Sequence, residues 1–290
     1  MEHNQFRHAY LIMAHNNWSQ LQTLLSLLDD ARNDIYLHID KKSEDFSPDM
    51  VHTSHSRLFL TDRISVFWGG HSQIQCELLL LKAALPGKYQ YYHLISGVDL
   101  PLKSQDEIHA FFRENNGKEF LEFDNDALED KGLFDYRCCY YHWLQNYAGS
   151  SRKLFHKILR RADWGLVNLQ KWLHLKRPEI IPMYKGANWF SITHGLAAYV
   201  VGREKLIRKQ FFHSWCTDEI FLQSIAMASP YRGHIVNDYR RAIQWENGDL
   251  ITYQAEHVPA LLTSDAFWGR KFNEKVDQEA IDLIKSHLSN

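Results

Sequence analysis

A pair of acids at residues 218 and 219 is the first feature of the sequence that suits chemistry. Thr217-Asp218-Glu219 precedes the apolar residues 220–228, so the pattern predicts that both acids lie in the first turn of a helix. Acids are common in that turn because they complement the helix dipole, which is a purely structural role. If the helix begins in a cleft, Glu219 can instead act as a general base that removes a proton from an attacking hydroxyl. The residue types alone leave both interpretations open.

Two pairs of basic residues can serve the other end of such a reaction. A fixed cation stabilises the negative charge that grows on a departing diphosphate, and Lys271, with Arg270 beside it, is suited to this task. Arg240 and Arg241 form a second pair, placed shortly before Trp245. Because solvated basic pairs are frequent on protein surfaces, neither pair specifies a phosphate site by itself.

One acidic loop has the spacing of a cation site. Asp124-Asn125-Asp126 matches the Asp-x-Asp pattern that holds Mg²⁺ or Mn²⁺ in many nucleotide-sugar enzymes, but the same residues are ordinary turn formers. The chain has seventeen histidines, yet no His-x-x-x-His pair with a nearby acid stands out. A Walker loop and a G-x-S-x-G elbow are both absent, so ATPase and hydrolase functions lack their motifs. We therefore expect neither a metal site nor a cofactor.

The elements that must position these residues follow an alternating order. The apolar residues 8–15 predict a strand, Ser19 is a candidate cap for a helix through Leu28, and residues 34–40 predict a second strand. Further strands are predicted at 57–60, 65–67, 91–95 and 119–123, and helices at 73–85 and 105–114, the latter capped by Ser104. This order predicts an α/β fold with a Rossmann-like sheet that binds its ligand beyond the carboxyl ends of the strands. No G-x-G-x-x-G follows the first strand, so a dinucleotide fingerprint is absent.

Composition limits the classes of function. A chain of 290 residues with 45% hydrophobic and 23% charged residues is typical of a globular protein. Its net charge of −2 provides no overall field for nucleic acid, and we expect none as a partner. The four cysteines include no Cys-x-x-Cys pair, which indicates free thiols in a reducing compartment. No signal peptide and no membrane-spanning apolar run are recognised, so the sequence predicts a cytoplasmic protein.

Residues 152–177 differ from the rest of the chain. They contain eight lysines or arginines and a single acid, Asp163, while apolar residues recur at helical spacing. One interpretation is a basic amphipathic helix that contacts anionic lipid at the inner face of a membrane, for which Trp164 and Trp172 are suited. The alternative is an ordinary surface helix with a solvated basic face.

Taken in order, the motifs of the chain resemble one family. These are the core-2/I-branching β-1,6-N-acetylglucosaminyltransferases, which also include peptide O-xylosyltransferases (glycosyltransferase family fourteen). The matching segments are residues 8–15, Leu37-His38-Ile39-Asp40-Lys41-Lys42, Val66-Phe67-Trp68-Gly69-Gly70-His71-Ser72, residues 94–104 with Ser96-Gly97-Val98-Asp99-Leu100-Pro101, Gly186-Ala187-Asn188-Trp189-Phe190, Thr217-Asp218-Glu219-Ile220-Phe221 and Arg270-Lys271-Phe272.

The resemblance implies a GT-A-like fold and an inverting, metal-independent transfer from a UDP-sugar, giving a β-linkage. It assigns the general base to Glu219 and a diphosphate contact to Lys271, and it places Asp40 near the uridine. His15, Trp68 and Gly69 are the further predicted nucleotide-binding residues. Asp99, Trp189 and Trp245 are the predicted acceptor-binding residues, and Tyr141 is another candidate platform for a sugar ring.

The resemblance also shows departures. Animal members carry a second diphosphate-binding arginine shortly before the lysine segment, but residues 249–262 contain no arginine or lysine. Arg241 or Arg270 is the predicted substitute. The disulfides and membrane anchor of animal members are absent from this sequence, which is expected of a bacterial cytoplasmic enzyme of surface polysaccharide synthesis.

We expect one domain over residues 1–290, with a nucleotide-binding half (1–125) and an acceptor and catalytic half (126–290). N-acetylglucosamine is the favoured sugar, and a glycan or lipid-linked glycan is the expected acceptor. The alternatives are a xylosyl- or glucuronosyltransferase of the same family and a non-catalytic carbohydrate- or lipid-binding protein.

Overall fold

The computed structural model describes residues 6–124, 131–148 and 154–289. The strands in these residues are β1 (His8–Ala14), β2 (Asn33–Ile39), β3 (Arg57–Leu60), β4 (Tyr91–Ser96), β5 (Leu100–Pro101), β6 (Glu119–Leu121), β7 (Phe190–Thr193), β8 (Ile235–Asn237), β9 (Arg241–Ile243), β10 (Trp245–Glu246), β11 (Asp249–Leu250) and β12 (Trp268–Arg270). The helices are α1 (Trp18–Leu28), α2 (Ser72–Ala84), α3 (Gln105–Glu114), α4 (Lys131–Cys138), α5 (Gln145–Ala148), α6 (Leu154–Trp172), α7 (His194–Gly202), α8 (Glu204–Phe211), α9 (Asp218–Met227), α10 (Val258–Thr263) and α11 (Gln278–Leu288).

A mixed sheet forms the centre of the molecule, with the described strands in the order β3-β2-β1-β4-β7-β6-β8. β1 pairs in parallel with both β2 and β4, and β2 pairs in parallel with β3. β7 runs antiparallel to β4 and β6, and β8 is parallel to β6. The sheet is flanked by helices, so the predicted α/β fold with a mixed sheet is confirmed.

Both faces of the sheet are covered because its central strands carry buried side chains on each side. Ala9 and Leu11 of β1 face one core, whereas Tyr10 and Ile12 face the other. The first core contains buried residues of α2, α7 and α9, and the second contains buried residues of α1, α3, α10 and α11. This two-sided burial explains the continuous apolar runs that the sequence shows in β1 and β4.

Two smaller strand groups lie outside the main sheet. β12 pairs antiparallel to β5 and parallel to β9, which brings Arg270 next to the segment that follows β4. β10 and β11 form a short antiparallel hairpin that pairs Glu246 with Asp249. Its two turn residues, Asn247 and Gly248, have φ values of 52° and 82°, as a two-residue hairpin turn of type I′ requires.

Most of the predicted elements are present, with two local errors. Ser104 caps α3 through a capping box in which Glu107 reaches back to the Ser104 backbone, as predicted. The predicted cap at Ser19 is wrong: α1 begins at Trp18, and its N-cap is Asn17 with φ 55° and no side-chain cap hydrogen bond. The strand predicted at 65–67 is also absent, because this segment is an irregular loop leading to α2.

α6 confirms that a long helix lies within residues 152–177. Among the helices of residues 6–124, 131–148 and 154–289, none combines the length and the apolar character that a membrane crossing requires.

Candidate active site

Several predicted site residues meet at one edge of the main sheet. β1, β2 and β4 are parallel and end at Ala14, Ile39 and Ser96, so the segments that begin with His15, Asp40 and Gly97 leave the sheet at the same edge. β7 is antiparallel to β4, and the segment of residues 186–189 therefore enters the sheet at this edge. The topology alone thus gathers motifs from four parts of the chain at the position where α/β sheets bind ligands.

Asp40 is nearly buried and lies at the centre of a small charged group. Its carboxylate accepts from Lys42 Nζ at 2.6 Å and from the Lys42 backbone at 2.9 Å. Lys42 also donates to the Val66 carbonyl, which ties the end of β2 to the loop before α2. His15 is near this group; partial desolvation lowers the pKa of His15, the cations Lys42 and Arg270 lower it further, and Asp40 opposes them.

Glu219 is the second residue of α9, and 39% of its side chain is exposed. Its carboxylate forms an ion pair with Arg137 of α4, with Nη1 and Oε2 2.9 Å apart. The Gly186 backbone N–H donates to the Glu219 carbonyl at 2.9 Å, and this bond joins the start of α9 to the segment that enters the sheet edge. The predicted base is therefore accessible, paired with a cation and anchored through its backbone.

α9 approaches the sheet edge very closely at Gly186. A Cβ at this position would lie 1.7 Å from the Glu122 carbonyl oxygen, so only glycine is accommodated. The buried amide of Gln223, one turn along α9 from Glu219, donates to the Ala187 carbonyl at 2.6 Å and to the Glu122 carbonyl at 3.2 Å. Gly186 and Gln223 together fix the position of the helix that carries Glu219.

A second acid, Asp218, directly precedes Glu219 in the chain. Asp218 is buried, and its Oδ2 accepts from Gln73 Nε2 at 2.9 Å. The same Gln73 amide accepts through Oε1 from the Gly69 backbone N–H at 2.6 Å. Burial, together with the charge of Glu219, raises the pKa of Asp218 to about 7. Gln73 therefore connects the predicted nucleotide-binding Gly69 to the helix start that bears Glu219.

Glu77, one turn along α2 from Gln73, is fully buried, and neither of its carboxyl oxygens has a hydrogen-bond partner among the described residues. Burial raises the pKa of Glu77 well above its usual value, with a smaller contribution from Asp218. A carboxyl group in such surroundings is held in its neutral form. The three acids thus differ in environment, and only Glu219 is accessible to a substrate.

Arg270 is occupied by protein partners. It donates to the Ser96 hydroxyl and, at 2.8 Å, to Asp99, and its guanidinium lies 4.3 Å above the centre of the Trp189 ring. Asp99 is buried and also accepts from the Ser96 backbone at 2.8 Å. This network stabilises the turn after β4. It does not support the predictions that Arg270 contacts a diphosphate and that the carboxyl of Asp99 contacts an acceptor.

Lys271 differs from its neighbour. Its side chain is partly exposed, and Nζ forms no ion pair or hydrogen bond with the described residues. The backbone around it is nevertheless fixed: Tyr253 N–H donates to the Lys271 carbonyl, and Phe272 N–H donates to the Val98 carbonyl, both at 2.9 Å. Lys271 is therefore a cation without a partner among the described residues, held next to the turn after β4.

Arg241 lies in the interior instead of in a cleft. Its guanidinium donates to the Phe190 carbonyl at 2.6 Å and to the Ser191 hydroxyl at 3.0 Å, and it packs over Trp268. Burial lowers the pKa of Arg241 to about 10. This placement does not support the prediction that Arg241 contacts a diphosphate.

The predicted tryptophans have different environments. Trp189 is buried beneath Arg270, so it is not an open platform for a sugar. Trp245 projects from the β10–β11 hairpin with 63% of its surface exposed. Trp68 is exposed next to Trp215, and the following Gly69, with φ 72°, accepts through its carbonyl from the Cys216 backbone at 2.9 Å.

The Asp-x-Asp loop is only partly described. Asp124 forms an ion pair with Lys185 at 2.6 Å, and Asn125 and Asp126 lie outside the described residues. Within the described ranges, no three His, Cys, Asp or Glu side chains are grouped as metal ligands.

Comparison with known proteins adds an independent observation. The sequence model of the family described as "Branch: Core-2/I-Branching enzyme" matches residues 8–265. The chain belongs to the Core-2/I-branching enzyme family.

Named relatives agree with this membership. Xylosyltransferase 2 of Rattus norvegicus is 24% identical over 314 residues, which cover 97% of this chain and 34% of that protein. The beta-1,3-galactosyl-O-glycosyl-glycoprotein beta-1,6-N-acetylglucosaminyltransferase 4 of Danio rerio is 22% identical over 320 residues, covering 99% of this chain and 71% of that protein. This chain thus spans about a third of the xylosyltransferase 2 sequence. The crystal structure of mouse xyloside xylosyltransferase 1 in its apo form, 9% identical, covers 90% of this chain and 97% of its own, with a TM-score of 0.37.

These findings confirm the predicted family. Several residues of the site were nevertheless missed from the sequence, namely Arg137, Gln73, Lys42 and Glu77. Arg137 belongs to α4, where no motif marks it. Gln73 and Glu77 follow the Trp68-Gly69-Gly70 motif at positions 73 and 77, one helical turn apart, and this spacing is the signal that could have identified them as a pair on one face of α2.

The raised pKa of Asp218 gives a pH-dependent stability. Between about pH 4 and pH 7 the unfolded chain releases this proton while the folded chain keeps it, so the free energy of unfolding falls as pH rises. We expect Asp218→Asn to reduce the loss of stability between pH 5 and pH 8 by roughly 2–3 kcal/mol, measured by urea unfolding. The exposed Asp265→Asn is the matched control and should keep the wild-type profile. An unchanged profile for Asp218→Asn would contradict the assignment.

Proposed function

We propose that this chain transfers a sugar from a UDP-sugar to a hydroxyl of a glycan acceptor, with Glu219 as general base. The observation that carries the proposal is the environment of Glu219. It is accessible at a helix start on the carboxyl edge of the sheet and paired with Arg137, and the two acids behind it are buried with raised pKa values. Family membership and the names of the relatives support the same reaction class.

In the proposed reaction, Glu219 takes the proton of the acceptor hydroxyl as its oxygen attacks the anomeric carbon. The new bond from carbon to acceptor oxygen forms as the bond from carbon to phosphate oxygen breaks, and UDP leaves with that electron pair. A single displacement inverts the anomeric centre, so the usual α-linked donor gives a β-linked product. No second carboxylate is needed as a nucleophile, which agrees with Glu219 being the accessible one of the three neighbouring acids Glu77, Asp218 and Glu219.

Lys271 is the proposed contact for the departing diphosphate. Its Nζ has no partner in the described part of the chain, and its backbone is tied to the turn after β4. A cation held in this way stabilises the charge that develops in the transition state more than it stabilises the ground state. We propose that side-chain cations meet the diphosphate charge and that no divalent metal is required, so that EDTA leaves activity unchanged.

We also propose an identity for the donor sugar and for the acceptor. N-acetylglucosamine is our first choice of sugar, and xylose is favoured next because the chain is similar to xylosyltransferases over 97% of its length. We propose a glycan or lipid-linked glycan of a surface polysaccharide as the acceptor, with transfer in the cytoplasm. A measurement of UDP release shows which donor the protein uses. The donors to compare are UDP-N-acetylglucosamine, UDP-xylose, UDP-glucose and UDP-glucuronate.

We also propose that α6 contacts an anionic membrane surface. Large apolar side chains are exposed along this helix, namely Leu154, Phe155, Ile158, Trp164, Leu169 and Trp172. Its one acid, Asp163, is buried and accepts from His142 at 2.6 Å, so the exposed surface carries basic residues and no acid. An apolar surface flanked by basic side chains is complementary to anionic lipid, where each lysine or arginine contributes about 1 kcal/mol.

Glu219→Gln should abolish most of the turnover and keep donor binding. Removal of a general base costs about 10²- to 10⁴-fold in rate, whereas the amide preserves the shape of the side chain. Glu279→Gln is the matched control, because Glu279 is also the second residue of a helix, α11, and is exposed. Turnover is measured as UDP release, and the affinity for UDP is measured by calorimetry. Near-normal turnover of Glu219→Gln would refute the assignment, and wild-type protein that binds sugar without turnover would favour the non-catalytic alternative.

Lys271→Met should weaken UDP binding and slow transfer together. A charge-assisted contact to phosphate contributes roughly 1.5–3 kcal/mol, so we expect about a tenfold or greater rise in the dissociation constant of UDP. The exposed Lys275→Met serves as control and should bind UDP normally. Unaltered affinity of Lys271→Met would show that the diphosphate is held elsewhere.

The membrane contact predicts a loss of vesicle binding when the apolar surface of α6 is made polar. In flotation with phosphatidylglycerol vesicles, Phe155→Ser with Trp164→Ser should bind several-fold less than wild type. Met50→Ser with Leu60→Ser, which alters exposed apolar residues elsewhere, should bind normally. Equal flotation of wild type and the α6 variant would remove this role.

A further inference from the structure

A basic cavity lies outside the candidate active site. It has a volume of about 420 Å³ and is bordered by α8 and by the segment that follows α6. Its lining includes four cationic side chains and no acid, namely Arg177, Lys205, Arg208 and Lys209, with aromatic walls from Tyr141 and Phe212. Since the net charge of the whole chain is −2, this is a local concentration of positive charge.

Arg177 is the unusual member of this lining. It is buried, with 8% of its surface exposed, yet its donors meet only neutral acceptors, chiefly the Ser214 hydroxyl at 2.6 Å and the Gln210 carbonyl at 2.7 Å. It forms no ion pair with any carboxylate in the described ranges. Burial lowers the pKa of Arg177. A buried guanidinium without a carboxylate partner is costly, and an anion bound at this site would compensate its charge.

The other three cations lie on α8 and are exposed. Lys205, Arg208 and Lys209 form no ion pairs within the described residues, and Arg208 packs over the Phe212 ring at 4.9 Å. The acid of the same helix, Glu204, is paired with Lys82 at 2.6 Å, outside the cavity lining. Glu179 follows Pro178 in the chain and is also not part of the lining. The cavity therefore has unused positive charge from two elements.

We propose that this cavity, the α8 pocket, binds the phosphate group of a phosphorylated ligand. A phosphate monoester brings a charge of about −1.5 to −2 and strong acceptor oxygens, which several converging cations can share. The volume is within the usual range for small-ligand sites, and the Tyr141 and Phe212 walls suit the organic part of the ligand. The proposal does not depend on the transferase activity, because the pocket shares no residue with the sheet-edge site.

Two sources supply this chemistry, namely a soluble phosphate ester and a phospholipid headgroup. Ile180 in the lining and Leu175 just before Arg177 are exposed, so the pocket opens beside apolar side chains near the end of α6. The experiment must therefore test both sources separately.

The test compares two double variants. The pocket variant carries both Lys205→Glu and Lys209→Glu. The control carries both Lys275→Glu and Lys285→Glu, which make the same charge change at exposed positions away from the pocket. UDP is kept saturating so that the proposed donor site is filled, and α6 is unaltered in both variants. Glycerol 1-phosphate binding is measured by calorimetry, and vesicle binding by flotation with phosphatidylglycerol against phosphatidylcholine. Thermal unfolding of each variant confirms that it is folded.

Wild type and the control should bind at least one of the two probes, and the pocket variant should bind that probe about tenfold or more weakly. Loss in both arms assigns the pocket to phosphate esters in general, and loss in the vesicle arm alone assigns it to lipid headgroups. Arg208→Ala should give a smaller loss in the same arm. The proposal is overturned if neither probe binds, or if the pocket variant and the control bind equally.

Discussion

The structure depends on the close contact between α9 and the edge of the main sheet. Gly186 allows the backbone of the entering segment to approach Glu122 at a distance that any side chain would prevent. Gln223 then donates to two backbone carbonyls, those of Ala187 and Glu122. Because the Gly186 N–H is hydrogen-bonded to the carbonyl of Glu219, the same contact sets both the packing of the helix and the position of Glu219.

Around this contact, the carboxyl groups of three neighbouring acids have different environments. Asp218 and Glu77 are excluded from water, which raises the pKa of each, while Glu219 reaches solvent and has Arg137 as its partner. Gln73 bridges Asp218 and Gly69, so the buried acid is connected to the loop before α2. The network resembles the way in which active sites hold neighbouring acids in different protonation states.

The sequence was most informative where a single local pattern decides the structure. The apolar runs of β1, β2 and β4 predicted buried parallel strands, and Ser104 with Glu107 predicted the start of α3, because these signals depend on neighbours in the chain. Glu219 was also identified from local pattern and family resemblance, and its catalytic role remains a prediction.

The sequence did not show the environments of several basic residues, because their partners lie far away in the chain. Arg241 and Arg270 have the residue type of a phosphate site. Arg241 is nevertheless held by the Phe190 carbonyl and the Ser191 hydroxyl of β7, and Arg270 is held by Asp99, partners that lie far away in the chain. Arg137 could not be assigned to Glu219 because 82 residues separate them. The irregular loop at 65–67 follows from contacts such as that between Lys42 and Val66, which no propensity encodes.

The β10–β11 hairpin has a further consequence. Its two-residue turn is formed by the left-handed pair Asn247 and Gly248, and Trp245 on its first strand is exposed. β9 leads into this hairpin and pairs with β12, and Tyr253, shortly after β11, donates to the Lys271 carbonyl. The hairpin is therefore connected at both ends to the segment that carries Arg270 and Lys271, so the exposed tryptophan has a fixed attachment to these two basic residues.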